Sequence, residues 1–393
     1  MIDDVVVVGA GIIGAACARE LALAGLRVTV VDRSDAAAGT TSSGEGNLLV
    51  SDKTPGPELA LAIYAAALWP ELVAALIDEL GPRFPDLEYE PKGGIVVATD
   101  EGAAAPLRAF AAAQRMAGVE AHDLAIEHAL ALEPHLDPAI AAAVLYPQDA
   151  QVQPVILAEA LLASARRHGA AVRTHEEVLG SVTSRGRIVG VRTSKGEIAA
   201  GAVLVAAGPW SGAVSATFGA ALPVHPRRGI LLVTARMPRR IRHKVYDGDY
   251  VGATQSGDAA LQTSSVIEST RAGTVLIGSS REHVGFDSRF RADVVAEIAR
   301  KSLRIFPFLA GASVMRVYGG FRPHVPDHLP VIGEDPRLPG LWHATGHEGA
   351  GIGLSIATAR LIAAGMLGKP APVDGEPFRV ARPQLLEWTG AAA

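Results

Sequence analysis

The feature that most constrains this chain is a glycine-rich segment near its N-terminus, GAGIIG over residues 9–14. Four consecutive valines at 5–8 precede it, and such a β-branched run is typical of a parallel strand that is buried on both faces. Apolar residues at helical spacing continue to Gly25, and a second valine-rich run follows at 28–31. The order strand, glycine turn, helix and strand predicts a βαβ unit with its glycines at the strand–helix junction.

Each glycine of this segment has a separate expected task. Gly9 allows the tight turn, Gly11 allows the backbone to approach a pyrophosphate, and Gly14 allows helix and strand to pack closely. The helix N-terminus then presents unpaired amides to the phosphates. Asp32 ends the second strand, where its carboxylate can accept hydrogen bonds from ribose hydroxyls and would repel a phosphate. The unit therefore predicts a site for FAD or NAD rather than NADP.

Two later segments favour FAD over NAD. Residues 33–49, RSDAAAGTTSSGEGNLL, supply the small and hydroxylated side chains along which an elongated dinucleotide could pass. Residues 345–355, TGHEGAGIGLS, form a second glycine-rich helix start. A helix dipole aimed at a flavin pyrimidine ring would stabilise the negative charge that reduction places there. Close helix packing is the alternative reason for this second glycine cluster.

Composition excludes several classes of protein. With 393 residues, 49% of them hydrophobic and 20% charged, the chain can bury a large core and should form about two domains. Its 36 basic and 41 acidic residues are mixed, and no basic block is present to follow a nucleic acid backbone. Cys17 is the single cysteine, so an internal disulfide cannot form, and a cytoplasmic location fits best.

The apolar stretch at residues 5–26 could be mistaken for an export signal or a membrane anchor. Asp3 and Asp4 stand where a signal peptide carries basic residues, and Arg19 and Glu20 interrupt the stretch. No other segment offers the roughly 18 uninterrupted apolar residues of a spanning helix. We therefore expect neither a leader nor a membrane span.

The composition and the hydrophobic pattern of the sequence change along the chain. Together they predict an α/β fold of the α+β two-domain type. An alanine-rich helix is expected from residue 58 to 80, kinked or divided at Pro70. Short strands after residue 89 and again from 224 to 320 predict a largely antiparallel sheet. We expect a Rossmann-like FAD-binding domain over 1–85, 150–222 and 320–393, and a discontinuous, antiparallel-sheet substrate domain over 86–149 and 223–319.

Three segments together carry a family resemblance over nearly the whole chain. They are VVVVGAGIIGAACARELALAGLRVTVVDR, GAVLVAAGPWS, and GGFRPHVPDHLPVIG followed by GLWHATGHEGAGIGLSIATARL. In these the chain resembles the D-amino-acid oxidase and glycine oxidase superfamily of flavoproteins. The segments SSGEGNLLVSDKTPGPELAL and TVLIGSSREHVGFD are most similar to β subunits of heteromeric dehydrogenases for D-hydroxyproline, opines or glycine, the last being hydrogen cyanide synthase.

The resemblance implies four catalytic residues. Arg322, in GGFRP, would bind the substrate carboxylate, for which a guanidinium offers a planar two-pronged fork. Tyr246 and Tyr250, in VYDGDYVG, match two active-site tyrosines, one to share the carboxylate and one to cover the substrate. Gly349 matches a glycine whose carbonyl accepts the substrate amine. The alternatives are a surface ion pair for the arginine and ordinary aromatic packing for the tyrosines.

The resemblance and the glycine motifs together predict the residues that contact a non-covalent FAD. Attachment through a cysteine near the C-terminus or a histidine after the second strand, which some relatives use, is not expected, because Cys17 lies in the first helix and residues 33–49 contain no histidine. The expected contacts are Gly9, Gly11, Ile12, Ile13, Gly14, Asp32, Arg33, Thr41, Ser42, Ser43, Gly46, Asn47, Val178, Ala207, Gly208, Trp210, Gly346, His347, Gly349, Ala350, Gly351, Ile352 and Gly353.

Several polar residues near these motifs allow more than one interpretation. Glu45 and Lys53 could take part in catalysis, or they could hold a loop or remain solvated. His347 and Glu348 are adjacent and lack the spacing of metal ligands, so we expect no metal. Three further residues are expected to form pocket walls or loops, namely Phe321, His324 and His328.

The predicted reaction is oxidation of the C–N bond of an amino acid or secondary amino acid, of the D-amino acid, D-hydroxyproline, glycine/sarcosine or opine class. The Cα hydrogen leaves as a hydride to flavin N5, and the product is an imine. The electrons could pass to oxygen, or to a flavin or iron–sulfur centre on a partner subunit. More distant alternatives are an NAD-dependent dehydrogenase and a non-catalytic subunit with a flavin-binding fold.

Overall fold

The computed structural model describes residues 2–248 and 261–387. The strands of the described residues are β1 Asp3–Val8, β2 Val28–Val31, β3 Asn47–Leu48, β4 Gly94–Ala98, β5 His122–Leu124, β6 Ala142–Tyr146, β7 Ala150–Gln151, β8 Ala171–Arg173, β9 Val178–Ser184, β10 Arg187–Thr193, β11 Gly196–Val205, β12 His225–Thr234, β13 Lys244–Asp247, β14 Leu261–Ser269, β15 Val275–Glu282, β16 Val314–His324, β17 Val331–Glu334 and β18 Leu341–Thr345. Their helices are α1 Ile12–Leu23, α2 Pro57–Leu80, α3 Glu101–Met116, α4 Ile126–Leu132, α5 Pro154–Arg167, α6 Ser211–Thr217, α7 Ala292–Ile305, α8 Gly351–Met366 and α9 Pro383–Glu387.

The first sheet has the order β17, β18, β11, β1, β2, β8, with the β9–β10 hairpin joined to β11. Strands β8, β2, β1, β11 and β18 run parallel, as in a doubly wound nucleotide-binding fold. Helix α1 connects β1 to β2, and Gly25 follows it in a left-handed conformation (φ +86°). The predicted βαβ unit is thus confirmed, and its buried valines form the sheet core.

The second sheet has the order β16, β12, β15, β14, β13, β4, β6, β5, and its neighbours are antiparallel except β13 and β4. Along each strand, successive side chains point to opposite faces of the sheet, so one face can be covered by a core while the other is not. On β12, Ile230 and Leu232 point into a core shared with α7, whereas Gly229 and Leu231 point towards the other sheet. The predicted α/β fold with an antiparallel sheet is therefore confirmed.

Helix α2 corrects two expectations. It runs as one helix through Pro70, so of the expected kink or division at this residue the division is wrong. By its length and composition alone, α2 is also apolar enough to cross a membrane. Such a segment was not expected outside residues 5–26. In the fold it lies against α5 and α8, and Trp69 donates a hydrogen bond to the carbonyl of Gly353 at 3.2 Å.

Strand β16 of the second sheet contacts the loop that follows β2 of the first sheet. The hydroxyl of Thr40 donates to the Phe321 carbonyl at 2.6 Å, and that of Ser43 donates to the Gly319 carbonyl at 3.3 Å. A Cβ at Gly320 would overlap the side chain of Ser43. The glycines beside Arg322 therefore allow the loop after β2 to pack directly on the second sheet.

Candidate active site and cofactor cleft

The junction of β1 and α1 forms one end of a continuous cleft between the two sheets. Gly9 has a left-handed conformation (φ +113°), and a Cβ on Gly14 would overlap the carbonyl oxygen of Gly9. At Gly11 a Cβ would come within 3.3 Å of the Thr41 hydroxyl. That hydroxyl in turn accepts a hydrogen bond from the Ile12 amide at 3.0 Å. At the glycines the helix therefore approaches the strand closely, which leaves bare backbone facing the cleft.

Asp32 lies at the edge of this end of the cleft. Its carboxylate accepts hydrogen bonds from the amides of Ala10 and Ser34, each at 2.8 Å. Next to it, the Arg33 guanidinium lies 4.7 Å from the centre of the Trp210 ring, and Trp210 stacks on Phe286 at 5.3 Å. Because two backbone amides hold this carboxylate, its position is fixed, and it can accept hydrogen bonds from the hydroxyls of a bound ribose.

The turn before α8 forms the cleft wall nearer the second sheet. His347 is buried, its Nε2 lies 2.9 Å from the Thr358 hydroxyl, and its Nδ1 has no hydrogen-bond partner among the described residues. Burial lowers the pKa of His347 to about 3, so the imidazole is neutral in ordinary conditions. The Nδ1 of this neutral ring is buried and lies beside a helix N-terminus. It can form a hydrogen bond with a polar edge of a bound cofactor.

Arg322 projects from β16 into the same cleft. Its guanidinium lies over Gly229 of the neighbouring strand, where a side chain would overlap it, and one of its nitrogens donates to the Ser280 carbonyl at 2.9 Å. A Cβ on Gly349 would lie 3.6 Å from Arg322 Nε. The structure therefore brings together Arg322 and Gly349, which are predicted to bind the carboxylate and the amine of one substrate.

Glu348 connects that turn to a group of buried polar side chains. His324 Nδ1 and His328 Nδ1 lie 2.9 and 2.7 Å from Glu348 Oε1, and an Arg227 nitrogen lies 3.2 Å from Oε2. Although burial alone would raise the pKa of Glu348, the hydrogen bonds from the two histidines hold it well below its usual range. The Glu348 backbone is left-handed, with φ +45°.

The expectation of no metal rests on the adjacent residues His347 and Glu348, whereas in the fold Glu348 lies beside two other histidines. The ligand atoms of His324, His328 and Glu348 lie within 4.8 Å of one another, so a histidine cluster does exist in the fold. The fully buried Arg227 guanidinium holds the second oxygen of Glu348 and places a positive charge beside it. That charge opposes the binding of a cation.

The two further candidates from the loop after β2 have different surroundings. Glu45 lines the cleft, and its Oε1 is buried without a hydrogen-bond partner among the described residues. Lys53 is buried, pairs with Asp52 at 2.6 Å, and lies outside the main cleft. Only Glu45 of the two faces the space that a substrate could enter.

Most predicted cofactor contacts line the cleft. These are Gly9, Gly11, Ile12, Ile13, Asp32, Arg33, Thr41, Ser43, Asn47, Val178, Ala207, Gly208, Trp210, His347, Gly349, Gly351 and Ile352. Predicted contacts that the structure places outside its lining are Gly14, Ser42, Gly46, Gly346, Ala350 and Gly353. Several of these glycines serve close packing instead: a Cβ on Gly46 would overlap the Val152 carbonyl, and one on Gly346 would overlap the Val325 side chain.

The structure does not bring Tyr246 to the cleft. Its side chain is fully buried, and its hydroxyl donates to the hydroxyl of Ser51. Burial raises its pKa well above the usual value, so the phenol stays neutral. Tyr250, its expected partner, lies outside the described residues.

Sequence reasoning missed several residues that line the cleft. Gly229 and Leu231 of β12, Glu176 after β8 and Thr345 at the end of β18 all face it. On β12 the sequence carries no signal for Gly229 and Leu231, because residues 229–233, GILLV, are apolar throughout and do not show which of them face the cleft.

The lining residues fit a bound FAD. Two helix N-termini, the Asp32 carboxylate and the bare glycine backbone follow one cleft that ends at Arg322, so an elongated dinucleotide can lie with its ring system beside that arginine. Fold and cleft together define a two-domain, dinucleotide-binding oxidoreductase.

Comparison with known proteins establishes the family. The chain belongs to the DAO family of FAD-dependent oxidoreductases, whose pattern matches residues 4–364. It is 34% identical to a glycine oxidase of Pseudomonas aeruginosa, over 96% of this chain and 98% of that protein. It is 28% identical to the hydrogen cyanide synthase subunit HcnC of the same species, over 96% of each. The crystal structure of glycine oxidase from Geobacillus kaustophilus superposes with a TM-score of 0.87 at 30% identity, covering 97% of this chain and 98% of that one.

Proposed function

We propose that this protein oxidises the C–N bond of an amino acid or secondary amino acid of the class to which glycine and sarcosine belong. The observation that carries the proposal is the position of Arg322, whose guanidinium lies over Gly229 and beside Gly349 in the cleft that holds the dinucleotide motifs. The similarity to glycine oxidases supports it.

When bound, FAD would supply a two-electron acceptor for the hydrogen that leaves the substrate Cα as a hydride. The protein's own residues position the substrate for this step. Arg322 binds the carboxylate with two parallel hydrogen bonds and so fixes the orientation of Cα. The Gly349 carbonyl accepts a hydrogen bond from the amine. The product is an imine, which water hydrolyses unless it is cyclic.

The test is the substitution Arg322→Ala in the holoenzyme, with bleaching of the flavin absorbance measured anaerobically. The panel contains glycine, sarcosine, D-amino acids, both hydroxyproline epimers and opines. We expect at least one member to bleach the wild-type flavin. We expect the variant to keep its flavin and to need on the order of 100-fold more substrate, because a charge-assisted, two-pronged contact is lost.

Arg316→Ala is the matched control. Arg316 lies on the same strand, is exposed, and stacks over Tyr318 at 5.3 Å. Its removal should leave the apparent KM unchanged. Equal KM values for the wild type and Arg322→Ala would contradict the assignment of the carboxylate site, and a wild type that no amine bleaches would contradict the proposed function itself.

The electron acceptor is a separate part of the proposal. The chain has a single cysteine, Cys17, which is fully buried in α1, so it cannot ligate an iron–sulfur cluster by itself. The similarity to a hydrogen cyanide synthase subunit favours transfer to a flavin or iron–sulfur centre of a partner subunit as the second candidate. Rapid reduction of an artificial dye without hydrogen peroxide production would support the partner, and stoichiometric peroxide would support oxygen.

We also propose a cytoplasmic location for the protein. The single buried thiol supports it, because it requires no oxidising compartment. Fractionation of the native host, followed by flavin-dependent activity in each fraction, tests this location.

A further inference from the structure

We propose that Glu348 is a positioning residue for amine oxidation: its carboxylate, held by an arginine and two histidines, fixes the turn that carries Gly349 beside Arg322. The inference rests on the proposed function, which assigns the substrate carboxylate to Arg322 and the amine to Gly349. Glu348 precedes Gly349 directly and lines the same cleft. Its neighbours at 347 and 349 were expected to contact cofactor or substrate, whereas no role was predicted for Glu348.

The backbone of this turn runs alongside β16. The Glu348 amide donates to the carbonyl of Pro323 at 3.2 Å, and a Cβ on Gly349 would lie 3.6 Å from Arg322 Nε. Residues 348 and 349 of the turn are therefore next to residues 323 and 322 of the strand. A shift of the turn would change the distance between Gly349 and the guanidinium that binds the substrate carboxylate.

The Glu348 backbone needs support to hold this position. Its φ of +45° lies in the left-handed region, which glycine adopts freely but which costs energy in a residue with a Cβ. Such conformations persist where the surrounding contacts determine them. In this turn the Glu348 side chain makes those contacts itself.

Three side chains hold the Glu348 carboxylate. His324 at the end of β16 and His328 in the loop after it lie 2.9 and 2.7 Å from Oε1. Arg227 of β12 lies 3.2 Å from Oε2. Because these partners approach from two strands and a loop, the carboxylate cannot shift without losing at least one of the three contacts.

Two of these partners are themselves held by further contacts. Arg227 is fully buried and also donates to the Gln262 side-chain oxygen on β14 at 2.9 Å. The loop that carries His328 is tied through Asp327, whose carboxylate accepts a hydrogen bond from the buried Arg382 at 2.9 Å. The turn before α8 is thereby connected to strands β12, β14 and β16 of the second sheet.

The Glu348 carboxylate remains ionised in this setting. Burial acts to raise the pKa of Glu348, but hydrogen bonds from the two histidines outweigh it and hold the pKa well below its usual range. Hydrogen bonds to a charged acceptor are roughly twice as strong as those between neutral groups. A neutral amide of the same size would therefore hold the turn less firmly.

Loss of this tie should affect the hydride step more than the affinity for a carboxylate. A substrate held at both its carboxylate and its amine presents one orientation of Cα, and a small misplacement of one anchor slows the chemical step. Without the Glu348 carboxylate, Arg322 stays in place while Gly349 can move. Binding of a ligand that carries a carboxylate alone should then be unaffected.

The experiment measures anaerobic reduction of the flavin by glycine, or by the best substrate of the panel, in the wild-type and Glu348→Gln holoenzymes. Rates at saturating substrate give the rate constant of reduction. We expect it to fall about 10-fold to 100-fold in the variant. The dissociation constant of acetate, which has a carboxylate and no amine, is followed by the shift in flavin absorbance and should stay within about twofold of the wild type.

Glu348→Gly separates the carboxylate from the backbone conformation. Glycine adopts the left-handed turn without strain but has no side chain to tie it to the second sheet. If the tie positions Gly349, this variant should lose as much of the reduction rate as Glu348→Gln, again with acetate binding retained.

Glu282→Gln is the matched control. Glu282 is also buried and pairs with an arginine of β12, Arg228, at 2.7 Å. Arg227 and Arg228 are consecutive on the strand and point to opposite faces, so the control pair lies away from the cleft. Each Glu→Gln change leaves a buried arginine without its acid and should lower the melting temperature. Only Glu348→Gln should lower the rate constant of reduction.

A double variant covers the case in which Glu348→Gln does not retain flavin. Glu348→Gln combined with Arg227→Leu removes both charges of the pair, so no uncompensated charge stays buried. It should have a higher melting temperature than Glu348→Gln and show the same loss of reduction rate.

The outcomes can be told apart. A wild-type rate constant in Glu348→Gln, in Glu348→Gly or in the double variant overturns the role of Glu348, while reduction of the wild-type flavin still supports the proposed function. An equal loss of rate in Glu282→Gln, or weaker acetate binding that matches the loss of rate, also overturns it, because either would indicate a general loosening of the fold. If no amine reduces the wild type, the proposed function fails and this inference fails with it.

Discussion

At the nucleotide end of the cleft, the glycines and the acid of the motif come from 24 consecutive residues, Gly9 to Asp32, which comprise the turn after β1, helix α1 and strand β2. At the Arg322 end, they come from the loop after β2, from β12, from β16 and from the turn before α8. The first end is built largely of backbone, with the Asp32 carboxylate as the side chain of its motif, whereas the second depends on side chains that distant segments bring together. A local motif can therefore specify the first end, while only the folded chain can specify the second.

The largest expected effect tests the backbone character of the nucleotide end. In Gly14→Ala the added Cβ would overlap the Gly9 carbonyl oxygen, so α1 must move away from β1. We expect loss of bound flavin and of about 3 kcal/mol of stability, measured as the ratio of flavin to protein absorbance and as a melting temperature. Gly102→Ala, in α3, is the control, because its Cβ would meet nothing closer than the Asp100 carboxylate at 3.3 Å; an equal effect of both substitutions would contradict the close-packing role.

The next effect tests whether the Arg322 end needs geometry as well as charge. Arg322→Lys keeps the positive charge but loses the planar fork. We expect KM for the amino acid to rise by roughly 10-fold to 100-fold with flavin retained. Arg316→Lys, on the same strand, should change neither quantity. A KM within twofold of the wild type would mean that charge alone is sufficient.

A smaller effect is expected at Asp32, which is the one acidic side chain of the nucleotide motif. Asp32→Asn should weaken FAD binding about 10-fold, because a charged acceptor for ribose hydroxyls becomes neutral. Fluorescence titration of the apoprotein with FAD measures this. Asp35→Asn is the control, since that side chain is 80% exposed and its recorded ion pair is with His175 at the surface. If the affinity of Asp32→Asn for FAD is unchanged, the Asp32 carboxylate does not contribute to binding through the ribose.

The smallest effect concerns Tyr246, which resemblance alone assigned to catalysis. In Tyr246→Phe we expect kcat/KM to stay within about twofold, and stability to fall by about 1 kcal/mol with the loss of the hydrogen bond to Ser51. Tyr146→Phe is matched to it, because Tyr146 is equally buried and donates to Gln114 at 2.7 Å. A kcat/KM that falls far more for Tyr246 than for Tyr146 would restore the catalytic assignment.

The parts of the fold that were predicted from the sequence are those with local signals. The β1–α1–β2 unit and the helix start at residue 351 each follow from glycines and hydrophobic periodicity within some 25 residues. The sequence left open whether Pro70 kinks α2 or divides it, and packing against α5 and α8 supports one continuous helix. Tyr246 was misplaced because its spacing to the next tyrosine does not say which face of β13 it occupies.

The site residues divide in the same way. Arg322 stood out because the motif around it is long, although the reason for its glycines appears only when Ser43 packs against Gly320. The contacts of Glu348 with Arg227 and His324, and those of Glu45 with the second sheet, join residues that are 24 to more than 100 positions apart. Hydrophobic periodicity in the sequence gives no information about contacts between residues so far apart in the chain.

The sequence by itself determined that the chain binds a dinucleotide with an unmodified ribose, because glycine conformation, helix start and a terminal acid act through neighbouring backbone atoms. Tertiary structure alone decided which side chains lie beside Arg322, that Tyr246 belongs to the core, and that Glu45 packs against the second sheet. The physical reason is range: backbone geometry is set within a few residues, whereas burial, charge pairing and the pKa of a carboxyl depend on whatever the folded chain packs around it.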